Sequence, residues 1–324
     1  MQHVKITRLS NNIKKTEKMK LDGRRESSNV EDLRGGGFSS GSGQRMSTGK
    51  KGGCITIILA IVGLFIGMKT GNWGLFQSQA GDLLGGGTTT TEAPATRTST
   101  GNSQQYDELA SFASKILAST EDVWTNIFKQ SGMQYHAPKM VIFEDGVNTA
   151  CGSASSSTGP FYCSGDKKLY LDLSFFSTMK QQLGAGGDFA YAYVIAHEVG
   201  HHIENELGLL SQLHRQMDQC RTEAEANKIS VRIELLADFY AGIWGYYENK
   251  TFKSLEDGDL EEAINCAHQI GDDYLQKSAG YRQIRAEAFT HGTSQQRMKW
   301  LQLGLTTGDI NKGNQILSLP ESQL

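Results

Sequence analysis

The stretch YAYVIAHEVGHHIENELG, Tyr191 to Gly208, sets three histidines and three acids into an otherwise apolar, helix-forming run. Residues four apart on a helix lie on one face. His197 and His201 therefore point the same way, one turn apart, and can grip a single ion. Glu198 is rotated about 100° from His197, at the edge of that face. It can reach a water held by the ion without displacing a ligand. This is the H-E-x-x-H pattern, in which two imidazoles bind zinc and the glutamate is the general base. Gly200 lies between the ligands, where a side chain would obstruct close packing. His202 points away from the pair, to the surface or to a supporting position. An amphipathic helix with incidental histidines is the competing reading, and the rest of the chain has to decide between them.

The chain has 324 residues, enough for one sizeable domain with appendages. A net charge of −3 argues against a nucleic-acid partner. Residues 1–50 are polar, glycine-rich and basic. Cys54 to Met68, CITIILAIVGLFIGM, is uncharged and strongly apolar; with Gly52 and Gly53 it reaches 17 residues, the low end for a spanning helix. Arg45, Lys50 and Lys51 precede it, so the positive-inside rule places the N-terminus in the cytoplasm. We expect a single-pass cell-membrane anchor over 52–70, a flexible linker over 71–105 and an extracytoplasmic (periplasmic) domain over 106–305. A short tail, 306–324, follows. A cleaved signal peptide ending near Ala80 is the alternative.

Helical periodicity begins near Tyr106 and runs through Leu109, Phe112, Ile116, Leu117, Trp124 and Phe128. KMVIF, from Lys139, and KLYLDL, from Lys168, read as strands. Further helices cover about Leu209 to Asn249, broken in the middle, and Asp259 to Lys277. Few strands and several helices predict an α+β domain, mostly helical with a small sheet.

A catalytic zinc site needs a third protein ligand. Glu204 occupies the glycine position of the H-E-x-x-H-x-x-G-x-x-H pattern, so that class is excluded. SVRIELLADFYAGIW, Ser230 to Trp244, offers Glu234 and Asp238, four apart and surrounded by apolar residues. A carboxylate buried there requires compensation. Zinc would compensate Glu234, while Asp238 would accept the spare N–H of a ligand histidine. The opposing reading is a solvated helix edge with Arg232 pairing Glu234. Ala241, Gly242 and Gly245 would let this helix approach the His197 helix.

These segments, followed by AINCAHQIGDDYLQ and FTHGTSQQRMKWLQLG, resemble the bacterial membrane-anchored neutral zinc metallopeptidase family. GRRESSNVEDLRG, Gly23 to Gly35, looks like that family's beginning, and CGSASSSTGPFYCSGDKKLYLDLSFF, from Cys151, matches its central block. Residues 1–18 have no counterpart, so translation is expected to start at Met19. Phe239 stands where the family usually has cysteine, and the tail lacks the family's cysteine-containing ending.

The resemblance implies a zincin-like peptidase using Zn2+ held by His197, His201 and Glu234, with a peptide or protein substrate. Glu198 would act as general base and then acid. His291 in FTHGTS is the candidate oxyanion donor, against the reading of a surface-loop histidine. His268 lies on an apolar helix face and is assigned to the core. KLYLDL is expected to line the cleft and pair with an extended substrate. A zinc amide hydrolase acting on cell-wall peptide and a non-catalytic zinc-binding membrane protein are the alternatives; an intact Glu198 argues against the second.

Four cysteines follow the apolar run. Outside the cytoplasm they are expected to pair, Cys151 with Cys163 across a short Gly/Ser loop in the family's central block, and Cys220 with Cys266.

Overall fold

The computed structural model describes residues 19–35 and 103–324. The expected anchor over 52–70, residues 1–18 and residues 71–102 of the linker lie outside the described residues. Among the described residues no helix is long and apolar enough to cross a membrane.

Helix α1 (Ser103–Gln130) buries the stripe Ala113, Ile116, Leu117, Val123, Trp124, Ile127 and Phe128 and stops ahead of Gly132, whose φ of 72° few other residues adopt. Six strands follow the period of two. They are β1 (Val30–Asp32), β2 (Lys139–Phe143), β3 (Gly146–Thr149), β4 (Gly152–Ser155), β5 (Phe161–Cys163) and β6 (Lys168–Asp172). The main sheet has the order β1-β2-β6-β5, parallel except for the antiparallel edge strand β5. Met140, Ile142, Tyr162, Leu169 and Leu171 face the helical core. Val141, Phe143, Phe161 and Tyr170 face the β3–β4 hairpin. The Cys151–Cys163 disulfide ties that hairpin to β5.

The remaining helices are α2 (Ser174–Thr178), α3 (Asp188–Glu206), α4 (Leu209–Asp218), α5 (Glu223–Phe252), α6 (Asp259–Gln269), α7 (Asp272–Ser278) and α8 (Ser294–Thr307). The expected break falls between α4 and α5, where Thr222 and Glu225 form a capping box that starts a new helix. Helices α3, α5 and α8 make the centre. A Cβ on Gly200 would stand 2.8 Å from the Ala237 carbonyl oxygen, so α3 and α5 cross with backbones in contact. Gly242 does not serve that crossing; it faces Gly304 and Leu301 and lets α8 close on α5.

Four expectations are corrected here. First, β6 is an interior strand and not the sheet edge a substrate would join: β2 pairs along its length and β5 pairs with Lys168–Tyr170, so the edge strand is β5. Second, Cys220 and Cys266 are free thiols. Helix α4 packs on α3 and α5, whereas α6 packs on α3, α7 and α8, and burial pushes the Cys266 thiol up to about 12. Third, residues 306–324 are no loose tail. Ile316 is fully buried, Arg232 donates to the carbonyls of Ile316 and Leu319, and Phe239 packs on Gly313. Fourth, residues 19–35, expected in a cytoplasmic tail, are part of this domain. Met19 and Leu21 sit in the main core, and β1 pairs with β2.

The N-terminal segment is held by a buried ion pair. Arg24 donates to Glu248 at 2.7 Å; the Glu248 side chain is fully buried and also accepts from Ser119 and Ser254. Arg25 pairs with Glu121 and Asp122 but is about half exposed. Removing one partner of a buried pair strands the other, whereas exposed pairs contribute little. Arg24→Ala is expected to lower the unfolding free energy by about 3 kcal/mol and Arg25→Ala by less than about 1 kcal/mol. Urea unfolding of the two variants measures the difference.

Candidate metal centre

His197 and His201 project from α3 onto Glu234 of α5. Their ring centroids are 4.8 Å apart. The His197 Nε2 lies 3.2 Å from Glu234 Oε2, and His201 Nε2 lies 3.7 Å from Glu234 Oε1. These three residues form the group that can hold a metal ion, with one donor atom from each within 4.8 Å of the others. A tetrahedral zinc with bonds near 2.1 Å needs donors about 3.4 Å apart, which matches this spacing. Two imidazoles and one carboxylate are a known donor set for catalytic zinc. Arg232 does not pair with Glu234; it is occupied by the C-terminal carbonyls.

Each imidazole is oriented from behind. His197 Nδ1 donates to Asp238 at 2.8 Å. His201 Nδ1 donates to Glu204 at 2.9 Å. With Nδ1–H committed, Nε2 is left to bind an ion. Burial works against charge on His197, but the Asp238 carboxylate outweighs it and holds the imidazole above the ordinary histidine value. Burial also works against charge on His201, which Glu234 and Glu204 together raise well above that value. Glu234 itself is held well below the carboxylate range, because the nearby histidines overcome its burial. Burial pushes Glu204 up to about 7, with the His201 hydrogen bond pulling the other way.

Asp238 is the most heavily used acid in the site. Arg297 of α8 donates to it through Nε (2.8 Å) and Nη2 (2.9 Å), and the Tyr193 hydroxyl donates at 2.6 Å. Those charges and bonds overcome its complete burial and depress its pKa. Glu198, 8% exposed, has its pKa raised by burial, with the neighbouring histidines and the Tyr162 backbone N–H of β5 pulling the other way.

His291 lies in the turn before α8, not on an exposed loop; it is 7% exposed, and its Nε2 stands 3.9 Å from Glu234 Oε1. Asp272 builds that turn. Its Oδ2 accepts the backbone N–H groups of Thr290, His291 and Gly292, and its Oδ1 is 3.4 Å from His291 Nδ1. Of the two positions expected for His202, surface or supporting, it takes the buried one. It donates to the His136 carbonyl and takes a hydrogen bond from the Tyr162 hydroxyl, bracing α3 against β5. His268 is only partly buried and rests edge-on against Tyr274.

Sequence reasoning missed Glu204, Tyr193, Arg297 and Asp272. The first two carried a signal. Glu204 lies three residues after a ligand histidine and Tyr193 four before one, so each shares a helix face with its partner. Arg297 and Asp272 lie far away in sequence and carried none.

The chain is expected to bind about one zinc, and His197→Ala, His201→Ala and Glu234→Ala each to abolish binding. Glu204→Gln and Asp238→Asn are expected to weaken it by about 10–100-fold. Because the raised His201 must shed its proton to bind, affinity should fall and proton release should grow as pH drops through that raised value, well above the ordinary histidine range. Calorimetric zinc titration in buffers of different ionisation enthalpy reads both.

Comparison with known proteins agrees with this geometry. Residues 19–316 match the family described as "Putative neutral zinc metallopeptidase". The chain is 45% identical over 294 residues to the uncharacterized protein YpfJ of Escherichia coli K12, covering 90% of this chain and 96% of that one. It is 41% identical over 187 residues to the uncharacterized protein Rv2575 of Mycobacterium tuberculosis H37Rv, covering 55% and 61% respectively. No solved structure matches. The chain, with its His197–His201–Glu234 centre, belongs to the neutral zinc metallopeptidase family.

Proposed function

We propose that the protein is a zincin-like, zinc-dependent peptidase that hydrolyses peptide bonds outside the cytoplasm at the membrane surface. The carrying observation is the convergence of His197, His201 and Glu234 beside a buried Glu198 on the wall of a cleft. The cleft measures about 730 Å³ including its open mouth. A purely structural zinc site has no use for a raised carboxyl at that edge. Zinc, when bound, supplies Lewis acidity: it makes water acidic near neutral pH and polarises a carbonyl. Glu198 takes the proton of the attacking water and returns it to the leaving amine. Its raised pKa suits both halves of that task. His291 Nε2, which has no hydrogen-bond partner among the described residues, donates to the oxyanion as it forms. Asp272 holds the turn that aims it.

The substrate class follows from the lining. Pro160, Phe175, Leu183, Val194, Ile270 and Leu275 give the cleft an apolar lining. A large apolar side chain next to the scissile bond fits there, with the substrate backbone running beside Thr158–Pro160 and the edge strand β5. The Cys151–Cys163 disulfide favours an oxidising compartment, and the apolar run 54–68 is the proposed membrane attachment.

The test is a digest of protein, peptide and cell-wall substrates by the full-length, zinc-loaded chain, with products identified by mass spectrometry. Glu198→Gln should keep zinc and lose about 10²–10⁴ in turnover. His291→Ala should lose about 10²–10³ in kcat with zinc retained. Release of cell-wall peptides alone would replace proteolysis with murein amide hydrolysis; no cleavage of any substrate would overturn the reading.

The pocket gives a separate expectation. Peptides with Leu or Phe at the adjoining position should exceed their Ala counterparts by at least about tenfold in kcat/KM, and Leu275→Lys should erase that preference. An unchanged preference in that variant would place the specificity elsewhere.

A further inference from the structure

GRRESSNVEDLRG takes no part in the chemistry proposed above, yet it is built firmly into the fold. Val30, Glu31 and Asp32 pair in register with Met140, Val141 and Ile142. The Asn29 carbonyl accepts from the Met140 N–H and the Leu33 N–H donates to the Ile142 carbonyl, each at 2.8 Å. Ser27 and Asn29 donate to one oxygen of Glu121 at 2.5 and 2.8 Å. Lys139 and Lys168 both reach Glu31 at 2.8 Å. Arg24 neutralises the buried Glu248 and lays its guanidinium over the Phe252 ring, 3.6 Å from its centre.

The apolar run lies between this segment and the rest of the domain. A chain that crosses a bilayer once leaves its two flanks on opposite faces, about 30 Å apart. Paired strands lie about 4.8 Å apart. Both conditions cannot hold for β1 and β2. The apolar run of 17 residues is long enough for one crossing and far too short for two. Exchange of β1 between two copies does not help, since both copies would leave β1 on the same wrong face. Cleavage after Ala80 would likewise strip β1 from the domain.

We propose that residues 19–35 and 103–324 stay together on one face of the membrane, as a single domain. The N-terminal segment is then a component of the peptidase domain, not a cytoplasmic tail. The attachment itself rests on the reading in the preceding section; the sidedness rests on the β1–β2 pairing alone.

The experiment uses the full-length chain carrying Cys54→Ser and Cys220→Ser, which leaves Cys266 buried and Cys151 and Cys163 bridged. Into it go Asp22→Cys or Gln302→Cys, one at a time, both at exposed positions. Cells with an intact cytoplasmic membrane are treated with a membrane-impermeant maleimide before and after permeabilisation. The two positions should label alike, either both before or both only after. Labelling of one before and the other only after permeabilisation would overturn the proposal. So would a mature protein that begins at Gly81. Fractionation of the same cells reads attachment separately: a protein found only in the soluble fraction would remove the membrane tether while leaving the sidedness result standing.

Discussion

Everything at the centre of the molecule depends on the carboxylate of Asp238. It has no solvent exposure, and a lone carboxylate in that position would be strongly unfavourable. It is ionised because donors from two helices meet on it, His197 and Tyr193 from α3 and Arg297 from α8, while Asp238 itself stands on a third, α5. The same contacts that make the acid tolerable fix the angle between the helices and the tautomer of a metal-binding imidazole. Stability and function are thus set by one group, and neither can be altered alone.

Close backbone approach makes that meeting possible. Gly200 lets α3 rest on α5 at Ala237, and Gly242 and Gly304 let α8 rest on α5 from another side. A methyl group at any of the three would meet backbone atoms that cannot swing away. Glu234 and Asp238 are one turn apart on α5, so a single crossing supplies one carboxylate to the ion and one to the back of a ligand. Glu204 supports the second imidazole from its own helix, which makes that arm of the centre local. The His197 arm, by contrast, reaches 59 residues along the chain from Asp238 to Arg297.

The edge of the cleft is organised by β5. Its backbone N–H at Tyr162 reaches Glu198, and its Tyr162 hydroxyl reaches His202. The disulfide on Cys163 ties the end of the same strand to the β3–β4 hairpin. A short strand that would otherwise fray is therefore pinned at its middle and at one end beside the proposed general base.

The sequence by itself determined the local features. The 3.6-residue period marked α1 and α3, alternation marked β2 and β6, and the four-residue spacing put His197 with His201 and Glu234 with Asp238. Those relations follow from bonds within one helix or strand, so spacing alone expresses them. Tertiary structure decided what spacing cannot encode. It placed β1 and residues 306–324 in the domain, because Arg24 finds Glu248, Ser27 finds Glu121 and Arg232 finds the Ile316 and Leu319 carbonyls only across the fold. It made β6 an interior strand and β5 the edge, since strand order depends on which neighbours pair. It kept Cys266 buried away from Cys220, and it brought Arg297 and Asp272 to the site. In each case the deciding contact joins residues far apart in the chain, where a buried charge selects its partner by position in space rather than by any pattern along the sequence.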